Sequence, residues 1–150
     1  MRLRELLDSE SHAVLATIAA RRDGWPFASV TAYASTPSGE PLLLLSDLAE
    51  HTRNLDADPR ASLLIHDAEA ARDPAAGSRV TLVGTAERLD GAANDEAQNR
   101  YVGRHPEASA YLALADFHFW VLRVAEARFV NGFGAAGWLS GERLSAALEP

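Results

Sequence analysis

The sequence predicts a mainly β protein, an antiparallel barrel of six or seven strands with short helices at its ends and between its strands. Apolar segments of strand length, rich in β-branched and aromatic residues, recur along the chain with turn residues between them. Helical patterns are confined to the two ends and to inserts between strands. This order favours an antiparallel barrel over a parallel sheet, in which strands and helices alternate regularly.

The composition is that of a globular protein without disulfides. The 150 residues suffice for one domain, residues 1–150, with a core of its own. Because no cysteine is present, disulfides, thiolate metal sites and cysteine nucleophiles are excluded. A net charge of −7 with scattered arginines argues against nucleic acid as a partner. The sequence has no signal-peptide or membrane-spanning pattern, so we expect no membrane partner and a cytoplasmic protein.

The first part of the chain predicts a short amphipathic helix followed by three strands. Residues 13–20 combine β-formers with alanine, and residues 27–34 alternate a polar-aromatic face with a small apolar face. Residues 42–45 are an unbroken run of leucine, which predicts burial on both faces. We expect this double burial to come from a barrel wall that is also a dimer interface. The helix is predicted at residues 2–9, and turns at residues 21–24 and 36–39.

The leucine strand runs directly into a polar helix, an arrangement that binds anions. Ser46 or Asp47 is the expected cap of this helix, and Glu50 completes a capping-box pattern. The free N–H groups of the first helical turn attract negative charge, and residues 51–53 would lie beside the anion. The sequence therefore predicts a phosphate pocket at this turn.

An ordinary amphipathic surface helix is the alternative interpretation of the same segment. In that case one face packs inward and the other is simply solvated. The inward residues would be Leu48, Thr52 and Leu55, and the solvated ones His51, Arg53 and Asn54. In either interpretation Asp58-Pro59 ends the helix, and residues 61–66 form the next strand.

The second half of the chain predicts further strands and three helices. Residues 79–89 form a long strand in which Gly84 marks a bulge or a close approach of another segment. Residues 117–124 are aromatic and β-branched, and the sheet continues after a kink at residues 127–131. The helices are predicted at residues 94–103, 105–114 and 140–148, and a loop at residues 67–77.

Several polar side chains have a structural as well as a functional interpretation. For His118 a buried, hydrogen-bonded role is favoured and a haem ligand is the alternative. His66 is expected to be structural, with proton transfer by the His66–Asp67 pair as the alternative. None of the five histidines has metal-ligand spacing, so no metal site is predicted. The expected partners of Arg123 and Arg128 are carboxylates such as Asp116 and Glu126, with an anionic substrate as the alternative.

Gly132, Gly134 and Gly137 have the spacing of a dinucleotide-binding loop. We reject that interpretation because too few residues follow for the helix, second strand and acidic residue that the fold requires. A glycine-rich turn that approaches a cofactor or a partner subunit is favoured instead.

Three stretches of the chain, taken together, resemble a known family. They are residues 24–30, residues 46–55 followed by residues 58–63, and a tail with residues 104–106, Tyr111, Asp116-Phe117 and residues 127–134. In these stretches the chain resembles the pyridoxamine 5′-phosphate oxidase-like FMN-binding split barrels, and within them the haem-utilisation (HugZ-like) branch. The resemblance covers nearly the whole chain and implies a split β-barrel of the Greek-key type.

What the resemblance implies is FMN held non-covalently at the interface of a homodimer. The flavin ring would follow the second strand, and the phosphate would lie near the strand-to-helix turn. The expected phosphate contacts are Ser46, His51, Thr52, Arg53 and Asn54, and the expected flavin contacts are Ser29, Val30 and Thr31. Trp138 would pack beside the ring, with plain core or interface packing as the alternative.

The function expected from these features is that of an FMN-dependent oxidoreductase acting on an unidentified small molecule. No catalytic side chain is assigned, because the flavin supplies the reactive chemistry. The alternative is a haem-binding or haem-degrading (HugZ-like) protein, and a further alternative is a flavin carrier or sensor without turnover. Pyridoxamine phosphate itself is disfavoured as substrate, because no Arg-x-His segment follows Trp138.

Overall fold

One antiparallel sheet organises the chain. A computed structural model describes residues 2–70, 72–133 and 136–149. The strands are β1 (His12–Ala19), β2 (Trp25–Ala32), β3 (Ala34–Ser35), β4 (Pro41–Ser46), β5 (Arg60–His66), β6 (Ser78–Arg88), β7 (Phe117–Asn131) and β8 (Ala136–Ser140). The helices are α1 (Leu3–Ser9), α2 (Glu50–Ala57), α3 (Gly91–Arg104), α4 (Ser109–Leu112) and α5 (Gly141–Leu148). Short 3₁₀ turns lie at Ala68–Ala70 and Pro106–Ala108.

The strand order is β2-β1-β5-β6-β7-β4-β3, and β8 pairs with β7 outside this path. Every described pairing is antiparallel. The predicted mainly β, antiparallel split-barrel fold is therefore confirmed. The described residues form eight strands, because the predicted second strand divides into β2 and β3 and because β8 was not expected. The segment of β8 has few β-formers, and its ladder with β7 holds it extended.

The predicted bulge at Gly84 is confirmed. Gly84 pairs with Val124 and Val83 pairs with Glu126, so Ala125 is an extra residue on β7. A Cβ atom at position 84 would collide with the main-chain carbonyl of Arg123. The close approach of β6 and β7 thus requires glycine, and the same irregularity is the kink predicted within β7.

The barrel interior is a single apolar cluster. Its fully buried large side chains come from α1, from the inner strands β1, β4, β5, β6 and β7, and from α5. They include Leu6, Leu7, Leu15, Leu43, Leu45, Leu63, Ile65, Leu82, Leu122 and Leu144. The buried Tyr33 hydroxyl donates a 2.9 Å hydrogen bond to the Leu7 carbonyl oxygen and so ties α1 to the segment between β2 and β3.

The leucine strand is buried on both faces, as predicted, but the expected cause was wrong. Leu43 and Leu45 point into the barrel cluster. Leu42 and Leu44 belong to a second cluster on the outer face, where Tyr101 of α3 packs against them with other apolar residues. A helix of the same chain therefore covers the outer face of β4, and no partner subunit is needed to explain its burial.

Helix boundaries differ from the predicted ones in three places, of which one is α3, which begins at Gly91 rather than at residue 94. The structure begins α2 at Glu50, after a turn at residues 47–49. The helix predicted at residues 105–114 is a 3₁₀ turn followed by one turn of α-helix, α4. Within the described residues, no helix has the length and apolar character that crossing a membrane requires.

Candidate functional site

Side chains hold the turn between β4 and α2 in place, but none of them caps the helix. The Ser46 hydroxyl donates to Asp116 Oδ2 at 2.6 Å and accepts from the Leu48 N–H at 3.2 Å. Ala49 occupies the cap position of α2, and no side chain caps the helix. The expected capping box of Ser46 or Asp47 with Glu50 is therefore wrong, because the chain makes one further turn before the helix starts.

Asp47 fastens this turn to the first residues of β7 and the end of β6. Its N–H donates to the Asp116 carbonyl oxygen at 2.7 Å. Its Oδ2 atom lies 3.1 Å from Nε2 of His118, and its Oδ1 atom lies 3.5 Å from Nη1 of Arg88. His118 is thus placed beside a carboxylate, but it is partly exposed rather than buried as expected.

The first turn of α2 presents main-chain donors. The Arg53 N–H is the first to bond back along the chain, to the Ala49 carbonyl oxygen at 3.2 Å. The N–H groups of residues 50–52 have no acceptor within the helix, which gives this end a partial positive charge. Arg53 itself is exposed, and its Nη1 atom lies 3.7 Å from Glu50 Oε2.

Two of the predicted phosphate contacts, Thr52 and Asn54, are fully buried. Thr52 Oγ1 donates to the Ser46 carbonyl oxygen at 2.6 Å. Asn54 Nδ2 donates to Thr17 Oγ1 at 3.0 Å, and its Oδ1 accepts from the Ala20 N–H at 3.1 Å. Both side chains anchor α2 to the sheet. The amphipathic-helix interpretation placed Asn54 in solvent and Leu48 inside. Both placements are wrong, since Asn54 is buried and Leu48 is exposed.

His51 and Ser29 bring α2 and β2 together. Ser29 Oγ lies 3.3 Å from His51 Nδ1. The other ring nitrogen, Nε2, is covered by protein atoms and has no hydrogen-bond partner. Partial burial lowers the pKa of His51 because it disfavours the charged imidazolium. His51 is therefore a neutral imidazole at pH 7 with one nitrogen unused.

A cavity of about 260 Å³ lies beside the next residues of β2, and neither Ser29 nor His51 lines it. Val30 and Thr31 line it, together with Tyr111 and Phe117, whose ring centroids are 5.3 Å apart. Thr31 is two residues beyond Ser29, which corresponds to roughly 7 Å on the same face of the strand. We refer to this region as the β2 cleft; its residues are Ser29, Val30, Thr31, His51, Tyr111 and Phe117.

The aromatic wall of the β2 cleft was not among the predicted site residues. Tyr111 and Phe117 belong to the tail that carries part of the family resemblance, but they lie some 80 residues beyond β2 in the chain. His105 also lines the cavity; it is buried, its Nε2 lies 2.6 Å from the Tyr33 carbonyl oxygen, and its ring packs 4.9 Å from Tyr101. A local pattern cannot reveal such an assembly, because the register of distant elements creates it.

Trp138 lies apart from the other predicted contacts. It is exposed on β8 and pairs with Arg128, whose guanidinium carbon lies 5.6 Å from the centroid of its ring. β8 pairs with the distal half of β7, whereas β4 pairs with the half that begins at Phe117. The glycine-rich turn before it is described only in part, since Gly134 lies outside the described residues.

The two arginines of β7 have partners other than those expected. Arg123 Nη1 lies 3.1 Å from Glu40 Oε2, and its Nε lies 3.1 Å from Glu87 Oε2. Arg128 stacks on Trp138. Neither pairs with Asp116, whose carboxylate accepts from Ser46, or with Glu126. Among the residues that the structure describes, no group of three or more His, Asp or Glu side chains forms a metal site.

Comparison with known proteins places this geometry in context. The family described as "CREG, beta-barrel" matches residues 3–145. The non-canonical heme oxygenase HOZ, chloroplastic, of Arabidopsis thaliana is 33% identical over 142 residues, which are 93% of this chain and 42% of that protein. A solved heme binding protein from Mycobacterium smegmatis is 40% identical with a TM-score of 0.88, over 95% of this chain and 58% of that one.

The pyridoxine phosphate oxidase family shares the fold at low identity. A general stress protein 26-related member of that family from Clostridium acetobutylicum has a TM-score of 0.70 at 14% identity, covering 93% of this chain and 92% of that chain. This likeness concerns the fold alone. The expected resemblance to oxidase-like and haem-utilisation split barrels is confirmed. The chain spans about half the length of these two haem-related relatives, the heme oxygenase and the heme binding protein.

Proposed function

Because this chain belongs to the CREG β-barrel family, we propose that it binds haem, in the β2 cleft. The observation that carries the proposal is the 40% identity, across 95% of the chain, to a protein described as heme binding. The 33% identity to a heme oxygenase supports the same ligand. Haem was the alternative interpretation of the sequence, and these relatives favour it over FMN.

The residues of the β2 cleft suit a haem group. Val30, Tyr111 and Phe117 supply apolar and aromatic surface for the face of a porphyrin. His51 supplies a neutral imidazole whose Nε2 has no partner, and imidazole is a common axial ligand of haem iron. Because Nε2 is covered in the free chain, the ring must turn to reach a ligand. Arg53, exposed at the start of α2, supplies a cation for a propionate.

Bound haem would supply redox and oxygen chemistry, and the protein would hold and orient it. The cleft residues bind the ring, exclude water from its apolar face and supply one nitrogen ligand. His118 is a second candidate ligand, since its imidazole is partly exposed near the same turn.

Haem titration of the purified protein tests this proposal. We expect a saturable Soret band with one haem per chain. His51→Ala should move the band and weaken binding if His51 ligates the iron, and His118→Ala should do so if His118 does. His66→Ala is the control, because His66 is exposed at the far end of β5. Absence of saturable binding, or a Soret band unmoved in both variants, would contradict the proposal.

We propose FMN as the second candidate ligand, in a flavoprotein that acts as an oxidoreductase on a small molecule. The observation that favours FMN is the donor-rich start of α2 beside Ser29 and Arg53, which suits a phosphate next to a strand that a flavin can follow. Titration with FMN and with riboflavin distinguishes this candidate from haem. FMN should bind much more tightly, because riboflavin lacks the phosphate, and equal affinities would exclude a phosphate contact.

Turnover separates the flavin alternatives. An oxidoreductase should accept electrons from a nicotinamide or another donor, whereas a flavin carrier or sensor would hold FMN that no donor reduces at a useful rate. Competition between FMN and haem for one chain would mean that both occupy the β2 cleft.

We propose that two copies of the chain associate through the outer face of β2, β1, β5 and β6. Many side chains of this face are small or apolar, although Arg60 also lines it, and Val30 is 72% exposed. Ala16, Ile18 and Val83 line a shallow apolar groove of about 350 Å³ on the same face. Exposed apolar surface of this kind marks an association site. Val30 would place the second copy next to the β2 cleft.

Sedimentation analysis tests the homodimer. Val83→Lys should shift the protein toward the monomer, since it places a charge on the proposed interface. Gln98→Lys makes a similar change on the exposed side of α3 and should leave the assembly unchanged. A wild-type monomer at all accessible concentrations would contradict this proposal.

A further inference from the structure

A second cavity, of about 300 Å³, lies between the end of α1, β3 and the last turns of α3. Arg100 and Arg104, one helical turn apart, line one side of it, and Ser35 and Asp8 line the other parts. Gly103 leaves the wall open, because a Cβ atom there would meet no atom within 4 Å. We refer to this region as the α1–α3 cavity. Its lining shares no residue with the β2 cleft.

Neither arginine of the α1–α3 cavity is neutralised by a carboxylate among the described residues. Arg100 Nη1 reaches only the Ser35 carbonyl oxygen, at 3.5 Å. Arg104 Nη2 donates to the carbonyl oxygens of Ser9 and Glu10, at 3.2 and 3.1 Å. These contacts are with neutral groups, so both positive charges remain available on a chain whose net charge is −7.

The nearby carboxylates have other partners. Asp8 lines the cavity, and its Oδ1 lies 3.6 Å from Nη1 of Arg4. Glu10 turns its Oε1 atom to the Ala68 N–H, at 3.2 Å. The charge that faces the cavity is therefore positive on the α3 side, although the surrounding protein is acidic.

Ser35 adds a donor without a partner. Its Oγ atom is buried and makes no hydrogen bond. A buried hydroxyl is unfavourable when it is unpaired, so a turn of the Ser35 side chain toward a ligand oxygen in the cavity would be stabilising. A tetrahedral oxyanion can accept hydrogen bonds from two guanidinium groups and a hydroxyl together, and arginine binds such anions in a fixed fork geometry.

We propose that the α1–α3 cavity binds the phosphate group of a small molecule through Arg100, Arg104 and Ser35. This site is separate from the proposed haem or FMN site. Its ligand class is a phosphate monoester or inorganic phosphate, and the rest of such a ligand would extend past Gly103 into solvent.

Titration with inorganic phosphate and with a methyl phosphate ester, followed by amide chemical shifts, tests the proposal. At constant ionic strength we expect saturable shifts at Ser35 and Gly103 for both ligands. Arg100→Gln combined with Arg104→Gln should weaken binding about tenfold or more, because charge-assisted hydrogen bonds are lost. Arg22→Gln is the control. It also removes one positive charge, on the exposed turn before β2, and should leave the phosphate affinity unchanged.

Two results would overturn the proposal: shifts that do not saturate, or equal responses in wild type and the double variant. An equal effect from sodium chloride would mean general screening rather than a site. Haem and FMN titrations of the double variant distinguish the two sites. If phosphate binding is lost while haem or FMN binding is intact, the substitutions have affected the α1–α3 cavity alone.

Discussion

Ser29 Oγ on β2 lies 3.3 Å from Nδ1 of His51 on α2. This contact joins the edge strand of the sheet to the helix that follows the leucine strand, and it leaves Nε2 of His51 buried without a partner. The two residues are 22 positions apart in the chain. Their proximity brings the start of α2 beside β2, next to the cavity that Val30 and Thr31 line.

The pH dependence of stability should carry a contribution from His51. Burial lowers the pKa of His51 from 6.5 in the folded protein, so the folded state favours the neutral ring. The unfolded chain then binds more protons than the folded one as the pH falls below about 6.5. The contribution of His51 to the free energy of unfolding is therefore present above pH 6.5 and is lost on acidification.

Denaturant unfolding of wild type and His51→Gln, above and below pH 6.5, measures this contribution. Wild type should lose more free energy of unfolding on acidification than the variant does. His66→Gln, at an exposed position, should behave as wild type. Equal losses in wild type and His51→Gln would show that burial does not perturb the imidazole.

Asn54→Ala should destabilise the protein strongly. Asn54 is fully buried and bonds Thr17 Oγ1 and the Ala20 N–H, so its removal leaves two polar groups unpaired. We expect a loss of roughly 2–4 kcal/mol in the free energy of unfolding, measured by chemical denaturation. Asn99→Ala, on the exposed side of α3, is the control and should change stability little. An unchanged stability with a selective loss of FMN affinity would mean that Asn54 contacts the ligand instead.

Arg53→Ala should weaken FMN binding if the phosphate lies at the start of α2. Arg53 is exposed, so its charge is available, although Glu50 lies 3.7 Å away. Loss of one charge-assisted contact corresponds to about 1.5–3 kcal/mol, or about ten- to a hundredfold in affinity. Flavin fluorescence titration measures the change. Glu50→Ala should strengthen FMN binding, because it removes a competing negative charge. An unchanged FMN affinity in Arg53→Ala would refute this phosphate position.

Gly84→Ala should distort the sheet at the bulge. The new Cβ would meet the carbonyl group of Arg123, which the β6–β7 ladder holds in place. We expect a loss of more than about 2 kcal/mol, seen as a lower denaturation midpoint. Gly137→Ala on β8 is the matched control, because a Cβ there meets no atom within 4 Å. Equal stability of the two variants would contradict the described register.

Gly103→Ala should stabilise the protein. Gly103 lies within α3 and its Cβ position is open, so alanine adds helix propensity and restricts the unfolded chain. The expected gain is about 0.5–1 kcal/mol in the free energy of unfolding. Gly91→Ala at the start of the same helix provides the contrast, because Gly91 has a φ of 55° and alanine would be strained there. A destabilised Gly103→Ala would show that this position is not free.

The amino-acid sequence by itself indicated most of the strands and helices but not β8, and it also indicated the double burial of residues 42–45, the bulge at Gly84 and the split-barrel family. The strands, helices, burial and bulge follow from local properties: side-chain periodicity, β-branching, turn residues and glycine at a close approach. The family follows from the resemblance of three stretches of the chain to known proteins. It also indicated that β2 and the start of α2 contribute to one site, and the Ser29–His51 contact joins those two elements.

Only the tertiary structure decided which surfaces are covered and which side chains remain free. The same leucine strand is buried by α3 rather than by a partner, and Thr52 and Asn54 turn inward to satisfy polar groups of β1 and β4. The aromatic wall of the β2 cleft and the cations of the α1–α3 cavity come from α3 and the residues after it. The physical reason is that burial and hydrogen-bond pairing depend on partners distant in sequence, which strand register and helix packing bring together.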